Sequence, residues 1–239
     1  MLSHAQRTKY DRQMFESRRI ICKNGFYEIL NTKISEIIIN KLESQSEPIK
    51  ILDAGCGEGS HLSRIQEKIT QSLETDPLGV GLDISKEGIS MASKEYTNTI
   101  WCVGDLAKAP FASQQFNIIL NILAPANYTE FKRMMSHDGR VIKVIPERDY
   151  LLELRNIFYE QTDQQIYTND NTLELFRSKF KLTDVERVRY NITLDQTLIE
   201  PLIHMTPLSW GTTKERLQKA LEMNLREVTI DLTILAGKN

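Results

Sequence analysis

The stretch ILDAGCGEGS (Ile51–Ser60) sets a carboxylate, Asp53, two residues ahead of Gly55, and then alternates Gly55, Gly57 and Gly59 with Cys56 and Glu58. Glycines let a backbone approach a ligand closely and take dihedrals closed to other residues. A carboxylate beside them suits a ligand that carries a cation or hydroxyl donors. Two later apolar runs end in the same way. GLDIS places Asp83 before Ile84, and GDLAKAPF places Asp105 before Leu106. One acid after an apolar run is ordinary helix capping; three in succession form a constellation.

Three nucleotide ligands fit a glycine loop. A phosphate-binding P-loop needs GxxxxGK[ST], and no Lys-Ser or Lys-Thr follows these glycines. A dinucleotide loop needs GxGxxG, and here the third glycine comes one place early. That spacing, with no constellation for hydride transfer, disfavours an oxidoreductase. S-adenosylmethionine has no phosphate, but it has an α-amino group, a sulfonium and a ribose diol. Asp53 suits the amino group, Asp83 can accept from both ribose hydroxyls, and Asp105 can accept from the adenine amine with Leu106 against the ring. The run NILAPANY leaves the next apolar segment in the same way, which makes Asn121, Ala124, Pro125 and Tyr128 candidates to face cofactor or substrate.

These residues need elements to hold them. Strands ending at Asp53, over 79–85, 99–105 and 116–123, and from Gly139 to Pro146 after a turn at Asp138–Gly139, alternate with helices over 60–69, 85–96 and 127–136. Ser85 is a good N-cap. Strands alternating with helices predict βαβ units and a mainly parallel α/β sheet with ligands at the carboxyl ends of its strands. The sequence before this is helical: 10–23, with Met14, Phe15, Arg18 and Ile21 on one side, then a second helix from Phe26. After it come helices over 149–161 and 172–180. Two segments, 182–194 and 226–236, alternate like strands with one exposed face, and about thirty mostly helical residues separate them. We read an N-terminal helical extension (1–45) and a ligand-binding domain (46–239) with an insertion at about 194–223.

Composition narrows the classes. The net charge is −2, so a nucleic-acid partner needs a local basic patch. Candidates for one are Arg7, Lys9, Arg12, Arg18, Arg19 and Lys23 near the N-terminus, with Arg187, Arg189, Lys214, Arg216 and Lys219 later. Cys22, Cys56 and Cys102 are too scattered for a disulfide framework or a zinc site. The sequence shows neither a secretory leader nor an apolar run long enough for a bilayer, so a cytoplasmic setting is expected. Oligomeric state stays open, a dimer included.

LDAGCGEG, GLDIS and GDLAKAPF resemble the first three motifs of the class I S-adenosylmethionine-dependent methyltransferases. That resemblance implies a Rossmann-like seven-stranded sheet with an antiparallel last strand. More narrowly, RRIICKNGFYEIL, LDAGCGEGSH, ILAPANYTEFKRMM, VIPERDYLLELRNIFYE and LIHMTPLSW resemble the 23S rRNA (guanine-N1)-methyltransferases of the RlmA group. The likeness implies rRNA methylation, with Tyr27, Gly57, Glu58 and Tyr150 at the cofactor; the family often has histidine where Tyr150 stands. The family's cysteine-rich zinc ribbon has no counterpart here. In the insertion, Trp210 can stack a base and His204 reads as structural. No catalytic base is named. A small-molecule methyltransferase and a non-catalytic cofactor-binding module are the alternatives.

Overall fold

The computed structural model describes residues 10–40, 49–160, 168–223 and 225–239. Arg7, Lys9 and the expected boundary at 45/46 lie outside them. Two helices lead, α1 (Arg12–Lys23) and α2 (Glu28–Ile39). There follow β1 (Lys50–Ala54), α3 (Ser60–Leu73), β2 (Leu78–Asp83), α4 (Lys86–Glu95), β3 (Thr99–Val103), β4 (Phe116–Ile122) and α5 (Tyr128–Met134). Next are β5 (Met135–Pro146), α6 (Leu152–Phe158), α7 (Asp170–Lys179), β6 (Lys181–Thr193), α8 (Ile199–Met205), α9 (Lys214–Glu222) and β7 (Glu227–Lys238). The sheet runs β3-β2-β1-β4-β5-β7-β6, with β7 antiparallel to both neighbours. The order of strands reverses between β1 and β4, so the crevice above that pair is where a ligand belongs.

Local chemistry explains the helix starts. Asp11 accepts from Met14 N at α1, and Ser85 accepts from Gly88 N at α4, each satisfying an otherwise orphaned amide. Along β1 the side chains alternate faces. Ile51 packs in a core with Ile21, Tyr27, Leu30, Leu62 and Leu202, whereas Leu52 and Ala54 pack with Phe131, Phe176 and Phe180. Asp53 therefore points to the Ile51 side, beneath the leading helices. That same core takes in α1, α2 and α8, so the extension and the insertion are packed onto one face of the sheet.

Three expectations need correction. β7 is no half-exposed strand: it is buried from Val228 to Gly237 because β5 and β6 flank it. Its polar positions are paired, Thr229 with Glu153, Asp231 with Arg187 at 2.8 and 2.7 Å, and Thr233 with Glu147. β5 does not begin after a turn at Asp138–Gly139. It begins at Met135, opposite Phe116, with a register shift before Ile118. The helix expected over 149–161 spans only Leu152–Phe158, after Leu151 takes a left-handed φ of 51°.

Candidate functional site

The glycine loop folds back on the end of β2. Gly55 has φ +87°, and a methyl group there would stand 2.7 Å from Ala124 Cβ. No other residue fits that approach between the β1 and β4 exits. Gly57, at φ +58°, donates to Asp83 Oδ2 at 2.8 Å, and Ser85 N donates to Asp83 Oδ1 at 2.8 Å. Asp83 thus clamps the loop. Each of its oxygens keeps a second lone pair for a ligand hydroxyl.

Beneath the loop lies a knot of charge. Asp53 is 1% exposed, and neither of its oxygens has a hydrogen bond. Burial pushes its carboxyl up to about 7, against the opposing pull of Arg18. Glu58 is also 1% exposed. Its Oε2 accepts from Ser60 Oγ at 2.5 Å, while Oε1 has no hydrogen bond and faces Arg18 Nε at 3.4 Å. Burial raises the Glu58 carboxyl too, and Arg18 again opposes it. Arg18 Nε is itself buried without a hydrogen bond. Buried polar atoms are normally paired, so several orphans in one place mark a site built for something else.

Tyr27 and Tyr150, far apart in sequence, meet here, their hydroxyls 2.6 Å apart. Burial raises both phenols, Tyr150 to about 12, so they stay neutral donors. The ring of His61 sits 5.1 Å from that of Tyr27, and its Nδ1 is 2.8 Å from Asn31 Oδ1. Burial pulls His61 down to about 3, so it is uncharged.

The β4 exit is braced from below. Asn121 has no exposed surface; its amide donates to Ala54 O and Pro125 O. Its Oδ1 accepts from Lys143 Nζ at 2.6 Å, and the same ammonium donates to Ala124 O at 3.2 Å. Leu123 between them has φ +52°. Strain of that kind persists only where surroundings enforce it. Asn121, expected to face a ligand, spends its amide on these bonds to the two strand exits. Tyr128 is buried among Phe131, Phe176 and Phe180. With Leu106, Pro125 and Asn127 it also lines a hollow of about 390 Å³. Asp105 accepts from Ala107 N, capping a short turn, and Ile84 is exposed.

The insertion meets α1. Gln13 Nε2 lies 3.3 Å from His204 Nδ1, and Tyr10 meets Trp210 edge to face at 4.9 Å. The expected basic patch is mostly engaged. Arg12 pairs with Glu16, Arg19 and Lys23 with Glu95, Arg187 with Asp231, Arg189 with Asp149, and Lys219 with Glu160, while Arg216 donates to two carbonyls. Two residues carry more than their motifs suggested. Arg18 lay on the apolar side of α1, and Lys143 lies inside the apolar run VIKVI; a charge in such a place was the signal.

Residues 45–190 match the model of a methyltransferase domain. The chain is 40% identical to YxjB of Bacillus subtilis (strain 168), provisionally named a 23S rRNA (guanine-N(1)-)-methyltransferase, across 99% of this chain and 83% of that one. It is 24% identical to the 23S rRNA (guanine(748)-N(1))-methyltransferase of Streptomyces fradiae, across 92% and 77%. The fold resembles the YcgJ protein from Bacillus subtilis, with TM-score 0.57, 15% identity, and 85% and 96% of the two chains covered. It also resembles the PH0226 protein from Pyrococcus horikoshii OT3, with TM-score 0.52, 17% identity, and 87% and 90% covered. With the glycine loop at the switch in strand order, three acids at the strand ends and kinship to YxjB across nearly all of its residues, the chain belongs to the class I S-adenosylmethionine-dependent methyltransferases.

Proposed function

We propose that the protein transfers the methyl group of S-adenosylmethionine to N1 of a guanine in 23S rRNA. The observation that carries this reading is the extent of its kinship. Identity to YxjB runs over 237 residues, so it takes in α1, α2 and the α8–α9 insertion as well as the cofactor-binding sheet. By contrast, the demethylmenaquinone methyltransferase of Chlorobaculum parvum is 32% identical over 43% of this chain. Parts that face a substrate diverge when the substrate changes, so a likeness across them speaks for the target.

The residues present fit the cofactor. Asp83 keeps lone pairs for ribose hydroxyls, Asp53 and Glu58 offer unpartnered oxygens to a cation, and Gly55 and Gly57 bare the backbone. Ile84, Asp105 and Leu106 flank the neighbouring strand ends, and Tyr27 and Tyr150 close the far side. When bound, S-adenosylmethionine supplies an electrophilic methyl on a sulfonium. The protein's task is then positioning, because an in-line approach at near-attack distance accounts for much of such a rate. Ala124 and Pro125 at the braced β4 exit, with the hollow beside Tyr128, are the surface offered to a splayed base. His204 and Trp210 stand on the insertion, His204 beside Gln13 of α1 and Trp210 against Tyr10 just ahead of it.

Labelled methyl transfer to 23S rRNA from a strain lacking this modification, followed by nucleoside analysis, tests the proposal. Label should appear as 1-methylguanosine. Unlabelled rRNA from a protein that still binds S-adenosylhomocysteine would overturn the rRNA assignment. It would favour a small-molecule acceptor, the reading that the internally paired basic side chains support. Asp83→Ala should weaken S-adenosylhomocysteine at least tenfold, because it removes both the diol acceptor and the clamp on Gly57.

A further inference from the structure

We infer that Arg18, on the helix ahead of the sheet, takes the α-carboxylate of the cofactor's amino-acid end. This makes α1 a wall of the binding site rather than an outlying extension. The inference rests on the reading of the cofactor as S-adenosylmethionine.

Arg18 has five N–H donors; its Nε is buried without a close hydrogen bond, while the side chain as a whole keeps 22% of its surface open. Glu58 lies 3.4 Å from that nitrogen, close enough for an ion pair, but its Oε1 also lacks a hydrogen bond. This one long contact engages a single nitrogen and leaves the terminal fork of the guanidinium for another partner. An isolated buried pair gains little unless its geometry is good and its remaining donors are satisfied. The planar fork of arginine matches a carboxylate through two parallel N–H bonds, which makes it the natural receiver of one.

Charge points the same way. Asp53, Glu58 and Arg18 sum to −1 when all are ionised. S-adenosylmethionine carries an ammonium, a carboxylate and a sulfonium, which sum to +1. Its ammonium answers the unpartnered oxygens of Asp53 and Glu58, its carboxylate answers Arg18, and the buried charge balances. Position agrees as well. Arg18 shares a face of α1 with Phe15, and Phe15 packs directly against the glycine loop, 3.4 Å from where a methyl on Gly57 would be. The hydroxyls of Tyr27 and Tyr150 stand within electrostatic reach of the same guanidinium. The sequence alone suggested phosphate for Arg18; its place 3.4 Å from the buried Glu58 carboxylate, with Asp53 within electrostatic reach, disfavours so highly charged an anion.

Calorimetry with three ligands tests this: S-adenosylhomocysteine, its decarboxylated analogue S-adenosyl-3-thiopropylamine, and 5′-methylthioadenosine, which lacks the whole amino-acid end. The wild-type protein should prefer S-adenosylhomocysteine to the decarboxylated analogue by at least tenfold. In Arg18→Met that ratio should collapse toward one while 5′-methylthioadenosine binds as before. A ratio that persists in the variant, or an equal loss for all three ligands, would overturn the assignment. A wild-type ratio near one would also do so, with no variant needed. If Arg18→Met does not fold, Arg18→Lys keeps the charge beside Glu58 but loses the fork. A ratio reduced at least threefold then supports the proposal, and an unchanged ratio overturns it. Wild-type protein that binds none of the three would sink the cofactor reading itself, a result distinct from any of these.

Discussion

Asp53 holds both its oxygens in a buried place without a donor, and its titration should report that. Burial raises the folded carboxyl from 3.8 to about 7, with Arg18 opposing and Asp83 and Glu58 adding to the rise. A raised carboxyl contributes stability that is complete below its unfolded pKa and is lost as pH climbs through the folded one. Asp53→Asn, which cannot ionise, should therefore gain on the wild type by about 2 to 4 kcal/mol between pH 4 and 7, levelling off above. Thermal melts of the cofactor-free protein across that range check this, and parallel curves would refute it. A ligand ammonium needs the ionised form. Affinity for S-adenosylhomocysteine should accordingly rise from pH 6 to 8 in the wild type and stay flat in Asp53→Asn. The glycine loop and all three acids could be picked out from the one-dimensional pattern, because each acid ends an apolar run. Their pairing could not. That Asp83 clamps Gly57, while Asp53 accepts no hydrogen bond from any described residue, depends on side-chain directions fixed by neighbouring strands.

At the level of elements, β4 and β5 together hold the bend proposed to face the substrate. Lys143 stands opposite Asn121 in the parallel pairing, and from there its ammonium reaches Asn121 Oδ1 and Ala124 O. Burial lowers this amine from 10.5 to about 8. The unfolded chain therefore binds more protons between those values, and stability rises with pH across the window. Lys143→Met lacks that rise. The stability gap should shift toward the wild type by about 2 to 3 kcal/mol from pH 7 to 10, read by urea titration at each pH. The freed bend should also lower methyl transfer while affinity for S-adenosylhomocysteine is kept. A variant with unchanged turnover would show that the β4 exit needs no brace. Apolar runs and turn residues located the strands to within a few positions. They misjudged β7, whose alternating threonines and Asp231 imitate an exposed face. Those polar groups are instead satisfied inside the fold by Glu147, Glu153 and Arg187.

Across the whole molecule, α1 reaches the glycine loop through Phe15 and Arg18, and the insertion meets the same leading segment through His204 against Gln13 and Trp210 against Tyr10, just ahead of α1. A ligand held by Arg18 should stiffen this arrangement. Hydrogen exchange of the amides in residues 15–23 should slow several-fold with S-adenosylhomocysteine and stay unchanged with 5′-methylthioadenosine. Equal protection by both ligands would mean that the sheet alone senses the nucleotide. Most basic side chains proposed for RNA are tied to carboxylates, so few phosphates should be neutralised on binding. The dependence of log affinity on log salt for an rRNA fragment should be shallow, with a slope of about −3 or less in magnitude. A steep slope would mean that the ion pairs open on the RNA.

What the sequence determined by itself is the nature of the site: a bared loop, three acids at strand ends, and an α/β order of elements that places them together at one edge. Those features are local, set by periodicity and residue type within a dozen positions. Tertiary structure decided which of these groups are already paired and which remain available. It buried Asn121 under Lys143, brought Tyr27 to Tyr150, and turned Arg18 from a surface cation into a neighbour of Glu58. Those relations join segments separated by tens of residues, and only desolvation in a packed core gives an unpaired charge there its large effect on chemistry.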